Sequence, residues 1–168
     1  MIKAIVYESN SGFTKKYAEM LAAKTNLPVY DRKLAKADTE KGEEIIYMGW
    51  ICAGNVKGYE KAAKKYTVKV VCAVGMGSPT EKVVNETIEH HRIQNAKVFY
   101  LQGGFDMSRL HGIYKIMMKM MGKTLGKSLE KKADKTNEEI KMLEMLKNGG
   151  DFVNEKYLDP IITRIQKF

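Results

Sequence analysis

Apolar residues in this chain fall into short continuous runs, separated by segments in which they recur every three or four positions. Ile2–Tyr7 is the first run. It stops at Glu8, and Ser9, Asn10, Ser11 and Gly12 follow as a turn of small residues. From Phe13 the period changes. Tyr17, Met20, Leu21 and Lys24 lie at helical spacing, and Ala18, Ala22 and Ala23 favour a helix. Leu27–Asp31 predicts a second strand, with Pro28 tolerated at its start or on an edge. A polar, lysine-rich crossover passes through Ala35 and Ala37. Glu44–Gly49 predicts a third strand and Tyr59–Lys65 a short helix. Val68–Val74 is almost continuously apolar, as a strand covered on both faces requires. Ser78-Pro79, with Glu81 three residues beyond Ser78, predicts a cap and a helix reaching His91. Ala96–Leu101 supplies a fifth strand.

Strands alternating with helices predict a doubly wound α/β fold, with right-handed crossovers and a five-stranded parallel sheet ordered 2-1-3-4-5. In such sheets ligands bind beyond the strand C-termini, where the strand order reverses. That places Ser9–Thr14 beside a loop from Trp50 to Lys57, with Gly75–Ser78 as the next wall. After residue 104 the pattern is helical. Leu110, Ile113, Tyr114, Met117 and Met121 fit one face of an added segment spanning about 107–135. A tract from Asn137 to Leu146 ends at Gly149-Gly150. A closing helix over about 154–167 carries Tyr157, Ile161, Ile162 and Ile165, with Pro160 as a kink or a shifted start.

The 168 residues suit one domain, 1–168, and no linker-like stretch divides them. Neither terminus has a targeting pattern, and no apolar run is long enough to cross a bilayer. Cys52 and Cys72 form no metal-ligand spacing, and a disulfide between them is the minor alternative to two free thiols. A reducing cytosol is the default expectation. The formal net charge of +9 can steer an anionic partner protein, a nucleic acid or the cytoplasmic face of an anionic membrane. No nucleic-acid motif accompanies the charge, so nucleic acid is the weakest of the three.

Ser9-Asn10-Ser11-Gly12-Phe13-Thr14 is the strongest chemical feature. Gly12 permits a sharp turn in which successive amides converge on one anion, hydroxyls of Ser9, Ser11 and Thr14 can donate to it, and the following helix presents its positive end. The alternative is a turn that only caps the helix. No Lys-Ser/Thr pair follows, which excludes a Walker A loop, and no Gly-x-Gly-x-x-Gly run supports a dinucleotide.

On this loop and the strand order through about residue 106, the chain resembles the flavodoxin family. There a Ser/Thr-x-Thr-Gly-x-Thr loop holds the phosphate of flavin mononucleotide (FMN); Ser11 stands where threonine is commoner. The resemblance implies that Trp50, Ile51, Cys52, Ala53 and Gly54 line the flavin ring on one side, Trp50 being either a stacking residue or sheet-edge core. It implies that Gly75, Met76, Gly77 and Ser78 face the ring's polar edge. The acidic residue usual after this loop's glycine is replaced by Ser78-Pro79. Gly103, Gly104, Phe105 and Asp106 close the fifth strand at the same edge. Together with the helical segment after it, Leu101–Asp106 is similar to the subgroup of the oxygen-independent bacterial protoporphyrinogen oxidase.

The added segment combines Met117, Met118, Met120 and Met121 with Lys115, Lys119 and Lys123. Such a face suits a quinone, a carboxylated porphyrin, a redox protein or an anionic membrane surface, or simply packs on the sheet with its lysines in water. Cys52 has no neighbouring base and reads as a small buried side chain. His90 and His91, adjacent on a helix, point apart and give no metal site. The leading expectation is an FMN-dependent oxidoreductase that moves electrons from a reduced organic substrate to a quinone-like or protein acceptor. The alternative is a non-catalytic electron-transfer module.

Overall fold

Strand β1 (Ala4–Glu8) is buried at every position, and its neighbours explain why. It pairs in parallel with β2 (Val29–Asp31) on one side and β3 (Glu44–Cys52) on the other. Next to β3 come β5 (Thr67–Gly75) and then β6 (Lys97–Gln102), giving a five-stranded parallel path β2-β1-β3-β5-β6, the order predicted. The computed structural model describes residues 1–34 and 39–167, apart from the side chain of Glu138, so Ala35 and Ala37 of the crossover lie outside the described residues.

Both sheet faces are covered. Helix α1 (Phe13–Thr25) lays Tyr17, Ala18 and Leu21 on one face, where Ile5, Met48, Cys72 and Leu101 meet them. The C-terminal segment closes the same face through Leu158 and Ile161, both fully buried. Here a 3-10 turn (Glu155–Leu158) precedes α6 (Asp159–Ile165), so Pro160 marks a shifted helix start. Helices α2 (Tyr59–Lys65) and α3 (Glu81–His91) cover the opposite face, where Tyr59, Ala62 and Ile93 pack on Ile45, Tyr47 and Val71.

Three boundaries differ from expectation at the sheet's C-terminal edge. The third strand does not yield to a loop at Trp50. It continues to Cys52 and turns back as β4 (Asn55–Val56), which pairs antiparallel with it. The turn is the two-residue Ala53-Gly54, both with positive φ (50° and 76°), the hairpin geometry that matches strand twist. Second, α3 is capped by Thr80, whose hydroxyl accepts the Val83 N–H, and not by Ser78. The Tyr100 hydroxyl donates to the Gly77 carbonyl at 3.0 Å, and residues 76–80 stay out of the helix. Third, the tract after the glycine pair pairs back. β7 (Gly104–Phe105) forms a small antiparallel sheet with β8 (Gly150–Asp151). Between them lie α4 (Gly112–Lys131) and α5 (Asn137–Asn148), the latter started by a capping box of Thr136 and Glu139.

His90 and His91 do not point apart. Their rings lie 5.0 Å from each other and both reach the β3–β4 hairpin. His91 Nε2 accepts the Val56 N–H at 2.9 Å, which leaves Nδ1–H to donate to Glu60. His90 Nε2 meets Asn55 Oδ1 at 2.8 Å. The hairpin is thereby fastened to α3. Ala53 holds a left-handed conformation that costs an L-residue roughly 1–2 kcal/mol. Ala53→Asn, which restores the favoured Asn-Gly turn, is expected to raise stability by about 1 kcal/mol in urea unfolding.

Candidate functional site

The loop ends of β1, β3, β5 and β6 enclose a slot of about 270 Å³. Ser11, Phe13 and Thr14 form one end. Trp50, Ile51, Cys52 and Ala53 form the hairpin wall, and Val74, Gly75 and Met76 line the slot from the end of β5. Gly104 and Phe105 lie across from them, and Leu110, Tyr114, Met117, Met118 and Met121 roof it. The lining is mostly apolar, with hydroxyls concentrated where Ser11 and Thr14 stand. This matches the layout of small-molecule sites, in which a few polar groups orient a ligand inside an apolar cleft.

Gly12 sets the hydroxyl end. At φ 93° it is the residue before the first turn of α1, and its N–H donates to Ser9 Oγ at 3.1 Å. The positive end of α1 is therefore directed to the same end of the slot. The hairpin wall depends on Trp50, whose ring meets Tyr114 of α4 edge-on, with centroids 4.7 Å apart. Trp50 Nε1 is buried and, among the described residues, finds no hydrogen-bond acceptor. A buried donor left unpaired costs about 1–3 kcal/mol, which the packing around Trp50 has to offset.

A family model for the flavodoxin domain matches residues 4–132, the sheet, the hairpin and α4 together. The chain belongs to the flavodoxin-domain family. No curated protein matches it. A solved structure described as a putative flavoprotein from Bacteroides uniformis is similar at 13% identity over 61% of this chain and 90% of that one, with a TM-score of 0.45.

Within this flavodoxin-domain frame, the residues expected at the site divide in two. Ser11, Phe13, Thr14, Trp50, Ile51, Cys52, Ala53, Gly75, Met76, Gly104 and Phe105 share the slot. Ser9, Asn10, Gly12, Gly54, Gly77, Ser78, Gly103 and Asp106 do not line it, and most of them hold it in shape. Asn10 Oδ1 accepts the His111 N–H, tying the first loop to the start of α4. Gly103 donates to the Gly75 carbonyl and accepts from the Phe152 N–H. Asp106 is turned away: it accepts from the Ser108 N–H and hydroxyl, pairs with Arg109, and its carboxyl is held below the usual carboxylate range by those bonds. It faces a second cavity of about 380 Å³, which shares only Phe13 and Phe105 with the slot and also contains Arg109, Lys147 and Asp151. Both cysteines are free; burial pushes the Cys72 thiol up, as its core position requires. Among the described residues no cluster of metal-ligating side chains occurs, and no helix is long and apolar enough to cross a membrane. The contacts of Tyr114 and Met118 with the slot were not legible from spacing, because they depend on the direction in which the chain leaves β7.

Tyr17 locks this frame. Its hydroxyl donates to the Gln102 carbonyl at 2.6 Å and accepts the Asn154 N–H at 3.0 Å, joining α1, the end of β6 and the C-terminal segment. Burial, partly offset by the Asn154 bond, pushes the phenol up to about 12. The neutral form is thus favoured on folding: the contribution is complete below the unfolded value near 10 and is lost as pH rises through 10 to 12. Tyr17→Phe is expected to cost roughly 1–3 kcal/mol at neutral pH and to flatten part of the alkaline loss of stability. Urea titrations at neutral pH and above pH 10 check both; an alkaline slope identical to the parent's would remove Tyr17 from this role.

Proposed function

We propose that the slot binds FMN and that the protein is a flavin-dependent oxidoreductase. The observation that carries this is the meeting, in one cavity, of the hydroxyl-bearing end of the Ser9–Thr14 loop with an apolar slot at the sheet's point of strand reversal. The residues suit the group. Ser11 and Thr14, with the amides of the loop, would hold the phosphate. The hairpin wall and Gly75-Met76 would flank the ring, with Trp50 held against Tyr114 at one side of it. When bound, FMN supplies hydride or single-electron transfer. The chain's part is to bind and orient it, with the apolar side chains of Leu110, Met117, Met118 and Met121 as its roof. No side chain of the slot stands out as a proton donor, so proton exchange falls to solvent or to the substrate itself. The similarity of Leu101–Asp106 to the protoporphyrinogen oxidase subgroup makes a porphyrinogen-like compound the first substrate to try. A quinone-like or protein acceptor would complete the exchange.

A second reading, an electron-transfer module for a redox protein, draws on Tyr114 and the methionines that roof the slot, a soft surface on which a protein partner could dock. The visible absorption spectrum of the purified protein, repeated after FMN is added and free ligand removed, tests the common core of both. Stoichiometric retained flavin is the expected result, and no retention at any concentration would end both readings. Bleaching of retained flavin by a reduced organic compound then selects the enzyme, and exchange only with a redox protein selects the module.

A further inference from the structure

Helix α4 presents three different edges around its axis. Tyr114, Met118 and Met121 face the slot. Beside them Ile113, Ile116 and Met120, at i, i+3 and i+7, are 74%, 63% and 66% exposed. Next around the helix, Lys115, Lys119 and Lys123 follow one another at four-residue spacing as an exposed edge, and the same row reaches Lys127 in line with the strip, beyond Met120. No acidic residue occurs on α4 before Glu130, and among the described residues Lys115, Lys119 and Lys123 close no ion pair. Of the two alternatives for this face, packing and exposure, Ile113 takes the second: Leu110 is buried and Tyr114 meets Trp50, while Ile113 projects outward.

Three adjacent large aliphatic side chains in water, bordered by a cationic ridge, match a helix lying in a lipid interface. We propose that α4 docks the protein on an anionic bilayer surface, with Ile113, Ile116 and Met120 in the acyl boundary and the lysine ammonium groups reaching the headgroups. Charge complementarity selects this occupant. A second copy seated on the same face would bring two lysine ridges together, and like charges across an interface oppose association. An acidic protein with an apolar patch would match the same face, and failure to bind anionic vesicles would leave the face to such a partner. The formal net charge of +9 adds long-range attraction of the same sign. Because Met117 and Met121 border both the strip and the slot, docking sets the slot's roof at the bilayer. A lipid-soluble redox partner could then reach it, a consequence that rests on the flavin reading although the docking does not.

The test is co-sedimentation of the full chain, with and without added FMN, with phosphatidylcholine vesicles and with phosphatidylglycerol–phosphatidylcholine vesicles at roughly 1:2. The protein is expected to pellet with the anionic vesicles only and to be released as salt rises. Lys119→Gln should weaken binding roughly five-fold, and Lys115→Gln with it about as much again. Ile116→Asp should weaken it ten-fold or more while leaving the unfolding midpoint unchanged, since Ile116 is exposed. Absence of pelleting at low salt, or equal pelleting of Ile116→Asp, overturns the proposal. So does a concentration-dependent dimer abolished by Ile116→Asp, which would assign the face to a second copy. Vesicle binding by flavin-free protein would uphold the docking even if FMN were never retained.

Discussion

Gly104→Ala is expected to cost roughly 3 kcal/mol, a large effect for one methyl group, because both of its new neighbours are fixed. A Cβ at position 104 would stand 2.2 Å from the Gly150 carbonyl oxygen and 2.8 Å from the ring of Phe13. The first contact is backbone, in the partner strand of the small sheet, where Gly104 is opposite Asp151 and Phe105 opposite Gly150. The second is the first residue of α1, which lines both cavities. Neither can move without parting β7 from β8 or lifting α1, so the slot should loosen along with the fold. Gly122→Ala is the matched control. Nothing lies within 4 Å of the added methyl and the residue is inside α4, so a gain of about 0.5–1 kcal/mol is expected there. Urea unfolding of the two variants measures the contrast. A cost below about 1 kcal/mol for Gly104→Ala would mean that the β7–β8 pairing does not hold the tract after β6 in place.

The glycine pair also shows where sequence reading stops. Gln102-Gly103-Gly104, after the strand ending at Leu101, reads as a loop at the ligand edge, and Gly104 does line the slot, but its lack of a side chain serves the passage of β8 as much as any ligand. Gly150 is far away in sequence, and no local pattern announces a two-residue strand. The same holds for Ala53-Gly54, where the sequence lacks the Asn-Gly or Asp-Gly signature and the turn is set by the register of Ile51 with Val56. The parallel sheet was legible because its strands are continuous apolar runs whose period differs sharply from that of the helices. Ser9–Thr14 was legible because a glycine-bearing hydroxyl loop between a strand and a helix is contiguous in the chain. The roof of the slot was not, since periodicity gives α4 an apolar face wide enough for either packing or exposure. Only the path through Leu110, buried beside Phe105, decides that Tyr114 turns inward and Ile113 outward.

Gly12→Val should lower FMN affinity on the order of 100-fold while lowering stability much less. Space is not the obstacle, for a Cβ at position 12 meets nothing within 4 Å. The obstacle is the backbone, because φ 93° is closed to a β-branched residue. Relief requires a rotation that breaks the Gly12 N–H bond to Ser9 Oγ and re-aims the Phe13 amide and the loop hydroxyls. Each charge-assisted bond to an anion contributes about 1.5–3 kcal/mol, so losing one or two accounts for the affinity change. Stability should fall by only about 1–2 kcal/mol, the cost of one disfavoured conformation. Riboflavin separates the phosphate from the ring: having no phosphate, it should bind the variant and the parent with nearly equal affinity. If FMN and riboflavin weaken together, the substitution acts on the slot as a whole. If neither weakens, Ser9–Thr14 is a turn that caps α1 and the anion is held elsewhere. A selective loss of FMN would place the phosphate at Gly12, and with it the ring between the Trp50 hairpin and the Gly75-Met76 wall.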